Sequence, residues 1–275
     1  MVVRVFLYIM LGFGFLAGAP NQNVKPIKGF VYNYFDIEIS NLKANNGENY
    51  RIFQAIPKGK KSYKNVIYML DANAQFPMIL NLYRPTKEPP LIIAIGYDTN
   101  LAYDRKRRTR DYTPKTLGDE FVKGGGADLF YKFIKEILMP FVEFKFDTKE
   151  SQKTLYGHSF GGLFTLFAML KNEELFDDFF IASPSLWWGD SLILKEAVLN
   201  GKFRDKIKAK FVNLSIGELE KRAGKTDKEG LLKASNLAEI LRNSNISYRF
   251  KIYKNQTHGS VIPLNLQDLL KYYDK

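Results

Sequence analysis

Tyr156-Gly157-His158-Ser159-Phe160-Gly161-Gly162 decides how the rest of this chain is read. The run Ser151 to Tyr156 before it has the composition of a strand, and Leu163 to Leu170 after it has helical character. A Gly-x-Ser-x-Gly segment at such a junction predicts a sharp strand-to-helix turn that lifts the serine Oγ into the open above a sheet. Glycines flank Ser159 because main chain and helix approach too closely there for side chains. The stretch therefore predicts Ser159 as a nucleophile.

The flanking sequence supplies a sheet for it. Strand-like runs occur at Tyr34 to Ile39, Tyr50 to Ile56, Val66 to Leu70, Leu91 to Ile95, Thr154 to Tyr156, Phe179 to Ala182, Phe211 to Ile216 and Tyr248 to Tyr253. The early runs alternate, as antiparallel strands with one wet face do. Those at Val66, Leu91, Phe179 and Phe211 are nearly continuous in apolar residues, as buried parallel strands are. Helical spacing appears over Leu129 to Phe144, Leu231 to Leu241 and Leu264 to Tyr273. This alternation predicts an α/β fold: a mainly parallel, doubly wound sheet with antiparallel N-terminal strands. Ligands in such sheets sit beyond the carboxyl ends of the strands.

A serine hydroxyl needs an adjacent base to take its proton. His258, after the last strand-like run, is placed to be that base. His158 is expected to point away from the base position and to pack locally. Glu218 and Glu220 lie between Ser159 and His258, and the order serine, acid, histidine resembles that of α/β-hydrolases. The resemblance implies an acid after the seventh strand, and the spacing Gly217-x-x-Glu220 favours Glu220. Glu218 is the alternative and Asp227 the third choice. An oxyanion hole would use the Phe160 N–H and one from the loop after an earlier strand, where Leu70-Asp71-Ala72-Asn73 offers the Ala72 N–H. A plain turn with Asp71 as a helix cap fits the same residues.

Composition narrows the chemistry. The chain has 275 residues, enough for one large domain, and 22 Phe and 16 Tyr to fill its core. It has no cysteine, which excludes disulfides, thiolate zinc sites and cysteine nucleophiles. With two histidines a multi-histidine metal site is not expected. The formal net charge of +12 comes from scattered lysines without a nucleic-acid motif, so no nucleic-acid partner is expected. Arg4, the apolar run Val5 to Leu16 and the small residues Ala17-Gly18-Ala19 read as an export signal. The expected division is a signal peptide at 1–19 and one hydrolase domain at 20–275, exported to the periplasm or secreted. The apolar run is too short for a stable membrane span.

Several motifs together resemble the bacterial esterase family that includes siderophore trilactone esterases (enterochelin and salmochelin type) and esterase D. They are Tyr68 to Asn73, Ile95-Gly96-Tyr97, Arg107 to Pro114, Gly124 to Asp128, Gly157 to Gly162, Ser183 to Trp188 and Thr257 to Val261. The resemblance covers about residues 30 to 270. It implies an α/β-hydrolase fold and ester hydrolysis carried by Ser159 and His258. Where the family often has Leu-Asp-Gly-Asn this chain has Ala72, whose N–H still serves if its φ is negative.

The basic cluster Arg105 to Arg110 is expected in a loop near the mouth of the site. Arg107 and Arg110 are its candidate grips for an anionic or catecholate substrate; a solvated loop paired with Asp104 and Asp111 is the alternative. Trp187 is a candidate aromatic wall, and Gly124 to Gly126 a flexible entry to the next helix. The resulting expectation is a serine esterase acting on a small-molecule ester through an acyl-enzyme, with neither metal nor organic cofactor. An acyltransferase using the same residues and a non-catalytic binding module of the same fold are the alternatives.

Overall fold

The computed structural model of the protein describes residues 22–86, 88–203, 207–220 and 230–273. The signal peptide expected at 1–19 and Asp227 lie outside these residues.

Each strand-like run forms a strand: β1 Phe35–Lys43, β2 Asn49–Pro57, β3 Asn65–Met69, β4 Leu91–Gly96, β5 Gln152–His158, β6 Asp178–Ala182, β7 Phe211–Gly217 and β8 Tyr248–Tyr253. They make one sheet in the order β1-β2-β4-β3-β5-β6-β7-β8. β1 pairs antiparallel with β2, and β2 with β4; the other pairs are parallel. The fold is α/β, of the α/β-hydrolase kind.

The helices are α1 Ala72–Leu82, α2 Arg105–Tyr112, α3 Ala127–Phe133, α4 Met139–Lys145, α5 Phe160–Lys171, α6 Leu192–Leu199, α7 Ala234–Arg242 and α8 Ile262–Tyr272. Successive strand residues feed opposite layers, as the two-residue period of a strand requires. Val66 and Tyr68 join the apolar layer that holds residues of α3, α5, α6 and α7, while Ile67 and Met69 join the layer with α1 and α8. Burial on both faces is why β3 reads as a continuous apolar run.

Two expectations change. The basic run is not a loop but α2, capped by the Asp104 carboxylate accepting the Arg107 N–H at 3.0 Å. The single helix expected at Leu129 to Phe144 contains a π turn at Ile134–Leu138 that joins α3 to α4. Pro140 near the start of α4 has no N–H and crowds the carbonyl four residues back, which favours such a widened turn. Among the described residues, no helix is long and apolar enough to cross a membrane.

Candidate active site

The carboxyl end of β5 runs directly into α5, and Ser159 is the single residue between them. Its backbone, φ 64° and ψ −118°, lies outside the regions an L-residue prefers, a strain of about 1–3 kcal/mol that the surroundings must hold. They do so through the main chain. The Ser159 N–H donates to Ala182 O at 3.0 Å, and its carbonyl accepts from Leu163 N at 2.9 Å and Ser185 N at 3.1 Å. A Cβ on Gly157 would run into the Gly161 carbonyl, and one on Gly162 would lie 2.5 Å from Ala182 O. Gly161 is different: its Cβ would meet Leu70 Cδ1 at 3.5 Å, an ordinary contact. The steric demand expected of both flanking glycines therefore falls on Gly157 and, beyond the motif, on Gly162.

The segments after β7 and β8 bring Glu220 and His258 together. Glu220 accepts hydrogen bonds on Oε1 from Gly217 N and Ser183 Oγ, both at 2.6 Å, and its Oε2 lies 2.9 Å from His258 Nδ1. Burial alone would raise this carboxyl's pKa, but the bonds from His258, Ser183 and Gly217 outweigh it and hold the pKa below the usual value. The Gly-x-x-acid spacing has a steric cause as well. A Cβ on Gly217 would lie 2.9 Å from the Gln256 carbonyl carbon and 3.1 Å from Thr257 O. Glu218 faces elsewhere and accepts the Asn255 N–H at 2.9 Å.

Ser159 Oγ contacts Ser185 Oγ at 3.4 Å, and no hydrogen bond joins it to the His258 ring. Catalytic hydrogen bonds are often loose without substrate. His158 does not point away from His258: its buried ring lies with its centroid 4.6 Å from that of His258. Burial, then the neighbouring His258 and Arg108, push its pKa well below the histidine range, so it stays neutral.

The two candidate oxyanion donors have matching settings. Ala72 opens α1 after Asp71 at φ 54°, and Phe160 opens α5 after Ser159 at φ 64°. The N–H groups of a first helical turn have no intrahelical acceptor. Ala72 is not among the positive-φ residues, so alanine carries no backbone strain there.

The basic cluster is divided by its helix. Arg110 is held by both oxygens of Asp111, at 2.7 and 3.0 Å, and by Glu48 at 2.5 Å. Arg107 pairs with Asp104 at 3.5 Å and lies over the Tyr97 ring, 5.8 Å from its centroid. Arg108, which was not singled out in the sequence, reaches inward to the Asp71 carboxylate at 2.8 and 2.9 Å. Trp187 stands beside Phe160 with ring centroids 5.8 Å apart, whereas Trp188 is buried and donates to Pro114 O at 2.9 Å. Gly124 to Gly126 is a packed turn rather than a flexible entry. A Cβ on Gly126 would lie 2.8 Å from Arg110 O, and the Gly126 N–H donates to that same carbonyl at 2.8 Å. Ser183 and Ser185 were visible only as part of the motif Ser183 to Trp188. Among the described residues, no group of three His, Asp or Glu could hold a metal ion.

Residues 46–263 match a family model described as "Putative esterase". The ferri-bacillibactin esterase BesA of Bacillus subtilis is 29% identical over 252 residues, 83% of this chain and 86% of that protein. The apo-salmochelin esterase of Escherichia coli O6:H1 is 30% identical over 262 residues, covering 88% of this chain and 80% of its own length. Among solved structures, the BES protein from Bacillus cereus superposes with a TM-score of 0.71 at 28% identity, over 93% of this chain and 98% of that one.

Proposed function

The chain belongs to the esterase family whose model it matches over residues 46–263, and from that membership we propose that it hydrolyses siderophore esters with Ser159 as nucleophile. Ser159 Oγ attacks the ester carbonyl while His258 Nε2 takes its proton. Glu220, on Nδ1, fixes the tautomer and stabilises the imidazolium. The Phe160 and Ala72 N–H groups receive the oxyanion. Collapse of the tetrahedral adduct breaks the bond to the alkoxy oxygen, which leaves with the proton from His258. Water, deprotonated by the same histidine, then attacks the acyl-enzyme and regenerates the Ser159 hydroxyl.

One observation carries the reading: the Glu220–His258 contact of 2.9 Å after β7 and β8, in the same sheet as a serine held in a positive-φ elbow after β5. Engaging Nε2 requires Ser159 Oγ to leave its contact with Ser185 Oγ.

Relatives named for ferri-bacillibactin and apo-salmochelin support a siderophore ester as substrate. We place Arg107 and Trp187 among the substrate contacts: Trp187 stands beside Phe160, Arg107 lies on the helix that packs against α5, and neither is fully buried. Arg110 would join them only by leaving Glu48 and Asp111. Export by the segment 1–19 belongs to the same proposal and rests on its charged, apolar and small-residue pattern.

The test is turnover of p-nitrophenyl esters and of trilactone siderophores, iron-free and ferric, by the wild type and Ser159→Ala. Loss of all turnover in the variant is expected; retained turnover overturns the assignment. Failure of the wild type to open any siderophore lactone while it cleaves simple esters overturns the substrate class alone. Added acceptor alcohols separate hydrolysis from acyl transfer by their products.

A further inference from the structure

Arg108 has no place in the mechanism above, yet it is the most heavily engaged charged side chain near Ser159. It sits in α2, packs against α5 and is buried. Its Nε donates to Asp71 Oδ1 at 2.8 Å and its Nη2 to Asp71 Oδ2 at 2.9 Å, a planar bidentate pair. Nη2 also lies 3.5 Å from the His158 carbonyl. The guanidinium carbon stands 5.5 Å from the Phe160 ring centroid and 5.6 Å from that of Tyr112. Tyr112 in turn accepts the Asp71 N–H on its hydroxyl at 3.2 Å.

Apart from Tyr112, which lies on α2 itself, these partners come from two separate pieces of chain. Asp71 immediately precedes Ala72, and His158 and Phe160 bracket Ser159. Resting on the esterase reading, we infer that Arg108 is a positioning residue that ties the two oxyanion donors, Ala72 N–H and Phe160 N–H, into one unit. Asp71 is held at φ 54°, an αL conformation that aspartate tolerates but that is seldom kept without support. The carboxylate grip on Arg108 and the Tyr112 bond to its N–H supply that support. Because the same guanidinium leans on the elbow, the distance between the two donors is set by one rigid planar group. A lysine could replace the charge but not the two-point grip.

The inference predicts a specific kinetic pattern. Loosening the clamp leaves substrate binding alone and misplaces donors that act only on the tetrahedral oxyanion. Arg108→Lys, Arg108→Gln, Asp71→Asn and the mild Tyr112→Phe are compared with Lys106→Gln, an exposed position on the same helix. Measured for each are kcat, KM and the inhibition constant of a trifluoromethyl ketone, which binds as a tetrahedral oxyanion. Removing one oxyanion donor outright lowers kcat by about 10²–10³-fold; a misplaced pair is expected to lower it about 10–100-fold in Arg108→Gln and Asp71→Asn. KM should stay within about twofold, and the ketone constant should rise in proportion to the kcat loss. Arg108→Lys should fall between wild type and Arg108→Gln, and Lys106→Gln should match wild type.

If Arg108→Gln does not fold, Tyr112→Phe and Arg108→Lys decide, since each keeps the buried volume. Unchanged ketone binding in folded variants overturns the inference, as does a loss confined to KM. Ser159→Ala, run beside them, separates the levels. Full activity there sinks the esterase reading, whereas a dead Ser159→Ala with unaffected clamp variants sinks only the inference.

Discussion

Gly217→Ala is the substitution for which the structure gives the sharpest expectation. Gly217 is not at positive φ, so alanine has no backbone penalty and any effect is steric. The added Cβ would overlap the Gln256 carbonyl oxygen and lie 2.9 Å from its carbon. Ordinary carbon–carbon contact needs about 3.5–4.0 Å, so the segment carrying Gln256, Thr257 and His258 must retreat by about 0.6–1 Å. It cannot retreat freely, because Gln256 O already accepts the Leu219 N–H at 2.8 Å. Most of the shift should open the 2.9 Å contact between His258 and Glu220, taking it to about 3.5 Å or more, past a useful hydrogen bond. A misplacement of about 1 Å in a catalytic group can cost about 10²-fold in rate. We therefore expect kcat to drop about 30–100-fold, or about 2–3 kcal/mol of barrier, with KM within about twofold. Steady-state p-nitrophenyl butyrate hydrolysis, with a melting curve to show the variant is folded, reads this directly. A folded variant with kcat within about threefold of wild type would refute the reasoning that the acid and histidine loops are held in register by the missing side chain.

Glu220→Gln should reduce kcat by about 10³-fold, because an amide cannot hold the tautomer and the positive charge of His258 as a carboxylate does. Glu218→Gln, at a carboxylate that accepts the Asn255 N–H, should stay within about threefold; the reverse ranking in steady-state assays would reassign the acid. Gly161→Ala should fold and melt near wild type while Gly162→Ala loses about 1–3 kcal/mol in denaturant melts, since the added methyl finds room in the first and Ala182 O at 2.5 Å in the second. Asp178, buried at the start of β6, has its carboxyl raised from 3.8 to about 6 by burial, against hydrogen bonds from Gln152 and others. The folded state thus binds its proton more tightly than the unfolded one, and stability falls as pH rises from about 4 to 6 and stays lowered above. Asp178→Asn should stabilise the protein by about 1–2 kcal/mol at pH 8 and by almost nothing near pH 4; equal shifts at both pH values in urea melts would contradict this.

The eight strands were legible because burial on one or both faces leaves a simple residue pattern, and the elbow because few sequences fit a serine at a strained turn. α2 was not legible. Arg105 to Arg110 offers no apolar period, so its helix is read only once Arg108 is known to point inward on Asp71 while Arg107 and Arg110 face other carboxylates. The choice between Glu220 and Glu218 stayed open for a similar reason. Both follow Gly217, and what separates them is a pair of donors, Ser183 Oγ and Gly217 N, the first of which comes from another strand end. His158 was misjudged because its neighbour across space, His258, lies a hundred residues away in sequence.

The central claim is that Ser159 is the nucleophile activated by His258 and Glu220. Labelling the folded protein with a fluorophosphonate, followed by peptide mass mapping, tests it most directly. The account predicts a single adduct on the peptide carrying Ser159, formed far more slowly in His258→Gln and in Glu220→Gln and absent in Ser159→Ala. An adduct on another residue that abolishes esterase activity, or equal labelling rates in the His258 variant, would contradict it.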